Sequence, residues 1–159
     1  MNVKDILDEE LGKIIMELVA KYDNLGMRAS GRWAEGLKVV VEREGNKLVG
    51  RIEGVDYTYY VQHGRAQGKM PPVKAIEEWI QAKGIRPLEK KISVSSLAYA
   101  IAHKIGQEGT RRFKAGGKPE FIDAVITAER IQDIIDKVGV WYTVQFSSDI
   151  IKVIEEMAA

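Results

Sequence analysis

The chain reads as an α+β protein: a small antiparallel β-sheet, a hairpin plus a third strand, packed against several amphipathic helices, with the long helices at the N- and C-terminal ends. Three observations predict this. Apolar residues recur every three or four positions near both termini, which is helical periodicity. Between Leu37 and Val55 the period falls to two and β-branched residues dominate. Glycines, prolines and serines then punctuate further helical runs in the second half.

Taken in order, Ile6, Leu7, Leu11, Ile14, Ile15, Leu18, Val19 and Tyr22 lie on one stripe of a helix from about Val3 to Tyr22, with Gly26 as its stop. In ASGRWAEG, Ser30 is placed to cap a short helical turn. LKVVVERE and KLVGRIEGV form a hairpin joined at Gly45-Asn46. The alternation of Tyr57, Tyr59 and Val61 in YTYYVQH predicts a third extended segment or a tight turn into one. Pro71-Pro72 open a helix that buries Val73, Ile76, Trp79 and Ile80 and stops at Gly84. A helix from about Ser93 to Gln107 buries Leu97, Ile101 and Ile105, with Ala98 and Ala102 allowing close packing. GTRRFKAGGK, residues 109–118, reads as a flexible basic loop. Beyond Pro119 a helical stripe carries Phe121, Ile122, Val125, Ile126, Ile131, Ile134, Ile135 and Val138. Residues 139–147 fit both periods; helix is favoured, and Ser148 is placed to cap a last helix from Asp149. Trp33, Trp79 and Trp141 each fall in an apolar periodic segment and are expected as core anchors.

A chain of 159 residues, 45% of them apolar, suits a single domain spanning 1–159. With 24 Lys and Arg against 23 Asp and Glu, the formal net charge is +1, so no global field draws the chain to nucleic acid or an anionic membrane. No cysteine is present, which removes disulfides, thiolate nucleophiles and Cys-based zinc sites and fits a reducing cytoplasm. The N-terminal run alternates charged with apolar residues, unlike a signal peptide, and no stretch approaches the roughly 20 apolar residues of a membrane span. A soluble protein is expected.

The chemical motifs are weak. Gly64-Arg65-Ala66-Gln67-Gly68-Lys69 resembles a phosphate-cradling loop, but only three residues separate its glycines, Met70 stands where a magnesium-binding hydroxyl is needed, and Pro71-Pro72 remove helix-start N–H donors. His63 and His103 have no carboxylate at ligand spacing, so no metal is expected. Adjacent Glu77 and Glu78 point in different directions on a helix and read as a solvated face. No cofactor and no catalysis are expected. The segment containing Arg111, Arg112, Phe113, Lys114 and Lys118 can grip a phosphate backbone and stack a base, or meet an acidic protein neighbour.

The order of segments carries more. ASGRWAEGL, the hairpin, YTYYVQHGR, a glycine loop, MPPVKAIEEWIQAKGI, SLAYAIAHKIGQEGT and PEFIDAV together resemble the tail-completion or head–tail joining (neck) proteins of tailed bacteriophages, over roughly Ala29 to Val125. The resemblance implies a structural virion protein, made in the bacterial cytoplasm, that assembles as a ring of copies between portal or adaptor and tail, catalyses nothing and avoids membranes. It also implies that Tyr60 to Gly64 shape the core and adjacent loop. On that reading Arg65, Gln67 and Lys69 face a neighbouring subunit, and the 109–118 loop touches a partner or, incidentally, genomic DNA. The alternative is a nucleic-acid-binding module that uses the 109–118 loop.

Overall fold

The computed structural model describes residues 2–158. In chain order the elements are α1 (Val3–Asn24), α2 (Arg32–Glu35), β1 (Lys38–Glu44), β2 (Lys47–Glu53), α3 (Thr58–His63), α4 (Val73–Lys83), α5 (Val94–Glu108), α6 (Arg111–Lys114), α7 (Ile122–Val125) and α8 (Ala128–Ala158). The α+β class and the long terminal helices are as expected. The chain groups into two compact units, one of residues 1–17, 38–53 and 123–159, the other of residues 18–37 and 54–122.

In the first unit, Val3, Ile6, Leu11 and Ile14 of α1 are buried, as their spacing requires. β1 and β2 pair antiparallel, with Val39 opposite Ile52 and Val41 opposite Gly50, around the expected Gly45-Asn46 turn. A lone hairpin is marginal in water. Gly50 lets this one sit close on α1, since a Cβ there would stand 2.9 Å from Leu11 Cδ1. Arg51 of β2 ties the strands through Glu42 and Glu44 of β1 and also pairs with Glu53 on its own strand.

α8 runs antiparallel to α1: Arg130 donates to both carboxylate oxygens of Glu17 at 2.7 Å, and Lys137 reaches Glu10 at 2.9 Å. Hydrogen bonds from Lys13 and Lys137 hold the buried Glu10 carboxyl below its ordinary range, and Arg130 does the same for Glu17. Residues 139–147 are helical. The predicted stripe from Phe121 is broken, however: α7 ends at Val125, and Thr127 caps α8 by accepting from the Arg130 amide at 3.1 Å. Ile131 and Ile135 are exposed, and Ser148 caps nothing, because α8 passes through it without interruption. Among the described residues no helix is long and apolar enough to cross a membrane.

In the second unit, Tyr22, Trp33 and Phe121 form an aromatic cluster with ring centroids 4.6 to 6.0 Å apart. Trp33 is 2% exposed and its Nε1–H donates to Thr58 Oγ1, which in turn donates to the Val55 carbonyl. Burial raises the Tyr22 phenol above its ordinary value. α2 forms where expected, but Gly31 at φ 85° is its cap; Ser30 Oγ lies 3.4 Å from the Arg32 amide, too far for a firm bond.

The expected third strand is a helix, and among the described residues the sheet has two strands. YTYYVQH misleads because its alternation comes from tyrosines that face solvent, while the buried member of the segment is Gln62. The Thr58 amide and hydroxyl both bond the Val55 carbonyl, which closes a turn where a strand was expected.

α4 starts after Pro72 and ends at Gly84, as predicted; Ile80 is fully buried, but Trp79 is 39% exposed and anchors no core. α5 is capped by Ser93, which accepts from the Ser96 amide. Its fully buried residues are Ala98 and Ala102, while Leu97, Ile101 and Ile105 are only half-buried. Small side chains bring the helix backbone close to its neighbours and leave the larger ones at the rim.

Candidate functional site: an aromatic and basic surface

Two segments that the sequence separates meet in the second unit. The Arg65 amide donates to Thr110 Oγ1 at 2.9 Å, and the Thr110 amide returns a bond to the Arg65 carbonyl at 2.9 Å. The Gly68 amide donates to the Gly106 carbonyl at 2.7 Å. Gly64 makes the approach possible: a Cβ on it would lie 2.5 Å from both the Phe113 amide nitrogen and Thr110 Oγ1.

Residues 109–118 are therefore not a flexible loop. Thr110 caps α6, accepting from the Phe113 amide at 3.3 Å. Arg112 Nε donates to the Gln62 carbonyl at 2.6 Å, and its Nη2 donates to the Pro119 carbonyl at 2.9 Å. The buried Gln62 side chain accepts from the Ile122 amide at 2.8 Å. Arg112 is thus a clamp across three segments, and burial pulls its guanidinium below the ordinary arginine value.

Of the other predicted residues, Phe113 lines a cavity beside these segments. Tyr59, Tyr60, His63, Ala66 and Phe113 border a shallow cavity floored by Gly64, Gly116 and Gly117. Tyr59, Tyr60 and Phe113 are 66%, 50% and 43% exposed. The Arg65 guanidinium lies 5.6 Å from the centre of the Tyr60 ring, within cation–π range. Tyr59 stands 4.5 Å from His63, ring to ring. Gln67, Lys69, Arg111, Lys114 and Lys118 are exposed around this cavity's two segments.

Acidic neighbours temper the charge. Lys114 pairs with Glu108 at 2.9 Å and holds that carboxyl below its usual range; Lys118 lies 3.8 Å from Glu120. The tyrosines and His63 were missing from the sequence-derived contact residues because a strand was expected to carry them. The signal that places them here is the pair of glycines, 64 and 109, each leading into a basic segment. Comparison with protein-family models, with curated proteins and with solved structures finds no match.

Proposed function

We propose that this chain is a structural virion protein of a tailed bacteriophage, part of the head–tail connector (neck) or tail-completion region, assembled as a ring of identical copies between portal or adaptor and tail. The observation that carries this reading is the distribution of apolar surface. Among the described residues more large apolar side chains are exposed than buried, and they concentrate on the tyrosine–phenylalanine surface and on α8. Contiguous exposed apolar surface of this kind marks contact with other chains. An assembly role needs such surfaces and needs no reacting groups.

The test is the protein's presence in purified particles. Quantitative mass spectrometry of virions is expected to find a fixed number of copies per particle, and gold-labelled antibody is expected at the neck. Absence from particles that carry their tails would remove the assignment.

The joining of two basic segments supports a second reading, a nucleic-acid-binding module. Arg65 lies over the exposed Tyr60, and Arg111, Lys114 and Lys118 adjoin the exposed Phe113 along the chain; such aromatics can stack bases. Against it stand Glu108 and Glu120, which already partner two of the four cations. Replacing those four by glutamine while keeping the structural Arg112 separates the readings. DNA affinity that falls steeply with salt in the parent and vanishes in the variant favours nucleic acid; no affinity in either favours protein contacts.

A further inference from the structure

The apolar face of α8 changes sides partway along its length. Its early stripe holds Ile134, buried, and Val138 and Trp141, half-buried. Continued at the same alternating spacing of four and three, that stripe meets Gln145, Ser148, Lys152 and Glu155, all polar. The antiparallel pairing of Glu17 with Arg130 and Glu10 with Lys137 brings Val3, the first residue of α1, level with residue 144. Beyond that point the described part of α1 offers α8 no neighbour.

A second apolar face, which at Val140 and Val144 still borders a groove with Ile6, Glu9, Glu10 and Lys13 of α1, continues beyond there. With Val140 as position a of a heptad, Val140 and Ile154 fall at a and Ile150 and Met157 at d, with the small polar Thr143 and Ser147 at the remaining d and a. Val144 and Ile151 occupy e, and Phe146 and Val153 occupy g. Every charged residue of 145–158 sits at b, c or f: Asp149, Lys152, Glu155 and Glu156. These eight apolar side chains are between 43% and 82% exposed. In a ring this surface is shared between two neighbours, so each contact is smaller than the roughly 800 Å² per partner of a standard interface, and closure, which gives every copy two contacts, is what holds the assembly.

We infer that residues 140–158 of α8 pack against the same segment of other copies, as a closed bundle of parallel helices. This deepens the ring reading above and takes from it only that copies of this chain meet one another. A heptad face is self-complementary, because knobs at a and d fit holes made by the same positions on an identical helix. Apolar e and g positions widen the face into two seams, d with g and a with e, set one residue or about 100° apart around the helix. Each seam addresses one neighbour, a heterologous contact that closes. An interior angle of about 100° corresponds to a ring of about four or five copies. A membrane surface is a poorer occupant, since the polar face carries three carboxylates and one ammonium where anionic lipid favours Lys and Arg.

The experiment uses the full chain. Native mass spectrometry and light scattering at about 10 μM are expected to show a defined oligomer of about four or five copies. Ile150→Asp with Ile154→Asp is expected to give monomers with unchanged thermal unfolding of the rest, because both side chains are exposed. The chain has no cysteine, so Ile151→Cys and Lys152→Cys each introduce one thiol; maleimide is expected to label residue 152 at least tenfold faster than residue 151. A monomeric parent, or equal labelling of the two thiols, overturns the inference. An oligomer that survives the double aspartate variant overturns the α8 interface and leaves a ring by another surface standing. The virion assignment falls separately, on particle composition.

Discussion

Gly64→Ala tests whether the two basic segments form one site. Gly64 has φ 76° and ψ −176°, a region open essentially to glycine, and placing a side chain there costs about 1–3 kcal/mol. Its new Cβ would also lie 2.5 Å from the Phe113 amide nitrogen, which is backbone and cannot rotate away. Relief requires the 64–69 segment to separate from Thr110, and the reciprocal Arg65–Thr110 pair is lost at about 1 kcal/mol per bond. The total is about 3–5 kcal/mol, a large share of the 5–15 kcal/mol that holds a typical domain. Gly68→Ala is the control: its φ is 126°, so strain applies, but nothing lies within 4 Å of the added carbon. Urea unfolding read by far-UV circular dichroism gives both stabilities, and amide hydrogen exchange at Arg65 and Thr110 reports the junction. Equal stability of the two variants, with unchanged protection at both amides, would refute the argument.

Three further outcomes are expected. Phe121→Ala empties the centre of the Tyr22–Trp33–Phe121 cluster and lowers stability by about 3–5 kcal/mol; a loss below about 1 kcal/mol in denaturant titration contradicts the packing. Glu10 and Glu17 have carboxyls held below their ordinary values by cations, so their stabilisation is present above the unfolded-state value of about 4.3 and is lost as pH falls through the lowered folded values. The thermal midpoint should therefore drop on acidification, and less so in Glu17→Gln; superimposable pH profiles would count against the Arg130 pair. Gly139→Ala, in the helical run of α8 with nothing within 4 Å of the added carbon, should stabilise the helix by about 0.5–1 kcal/mol by thermal melt, whereas destabilisation would expose a contact at that position.

Much of this fold was legible because its signals are local. The Val3 helix, the Gly45-Asn46 hairpin, the Pro72-to-Gly84 helix and the Ser93 cap each follow from periodicity bounded by a residue of fixed backbone preference. The failures have two sources. Exposed aromatics imitate buried ones: Tyr59 and Tyr60 gave YTYYVQH a strand-like rhythm, and Trp79 looked like a core anchor. Long-range pairing is invisible to spacing: nothing within residues 109–118 announces that Arg112 clamps the Gln62 carbonyl 50 residues away, so α6 read as a loop. In the candidate site the residue types were legible, but their convergence was not. Only the backbone shows that Arg65 and Thr110 meet.

The exposed half of α8 is a different case: its two-faced pattern is present in the sequence, where helical spacing alone does not tell a core-facing stripe from an exposed one. A helix that buries one side on its own unit should keep that side apolar throughout. α8 does so only through Trp141, after which Gln145, Ser148, Asp149 and Lys152 occupy that side and Phe146, Ile150, Val153 and Ile154 the other. A segment of some 14 residues is marginal as an isolated helix in water, and most helical stability in proteins comes from packing of the amphipathic face. The first half of α8, held by Ile134 and the Arg130 and Lys137 pairs, supplies the nucleus onto which the second half can propagate. On the bundle proposed above, the same helix would serve folding with one face and assembly with the other, with the boundary between the two roles near residue 142. Such a division would account for an apolar content suited to a single core in a chain that leaves so much of it exposed: on the proposed bundle, part of that content is addressed to other copies.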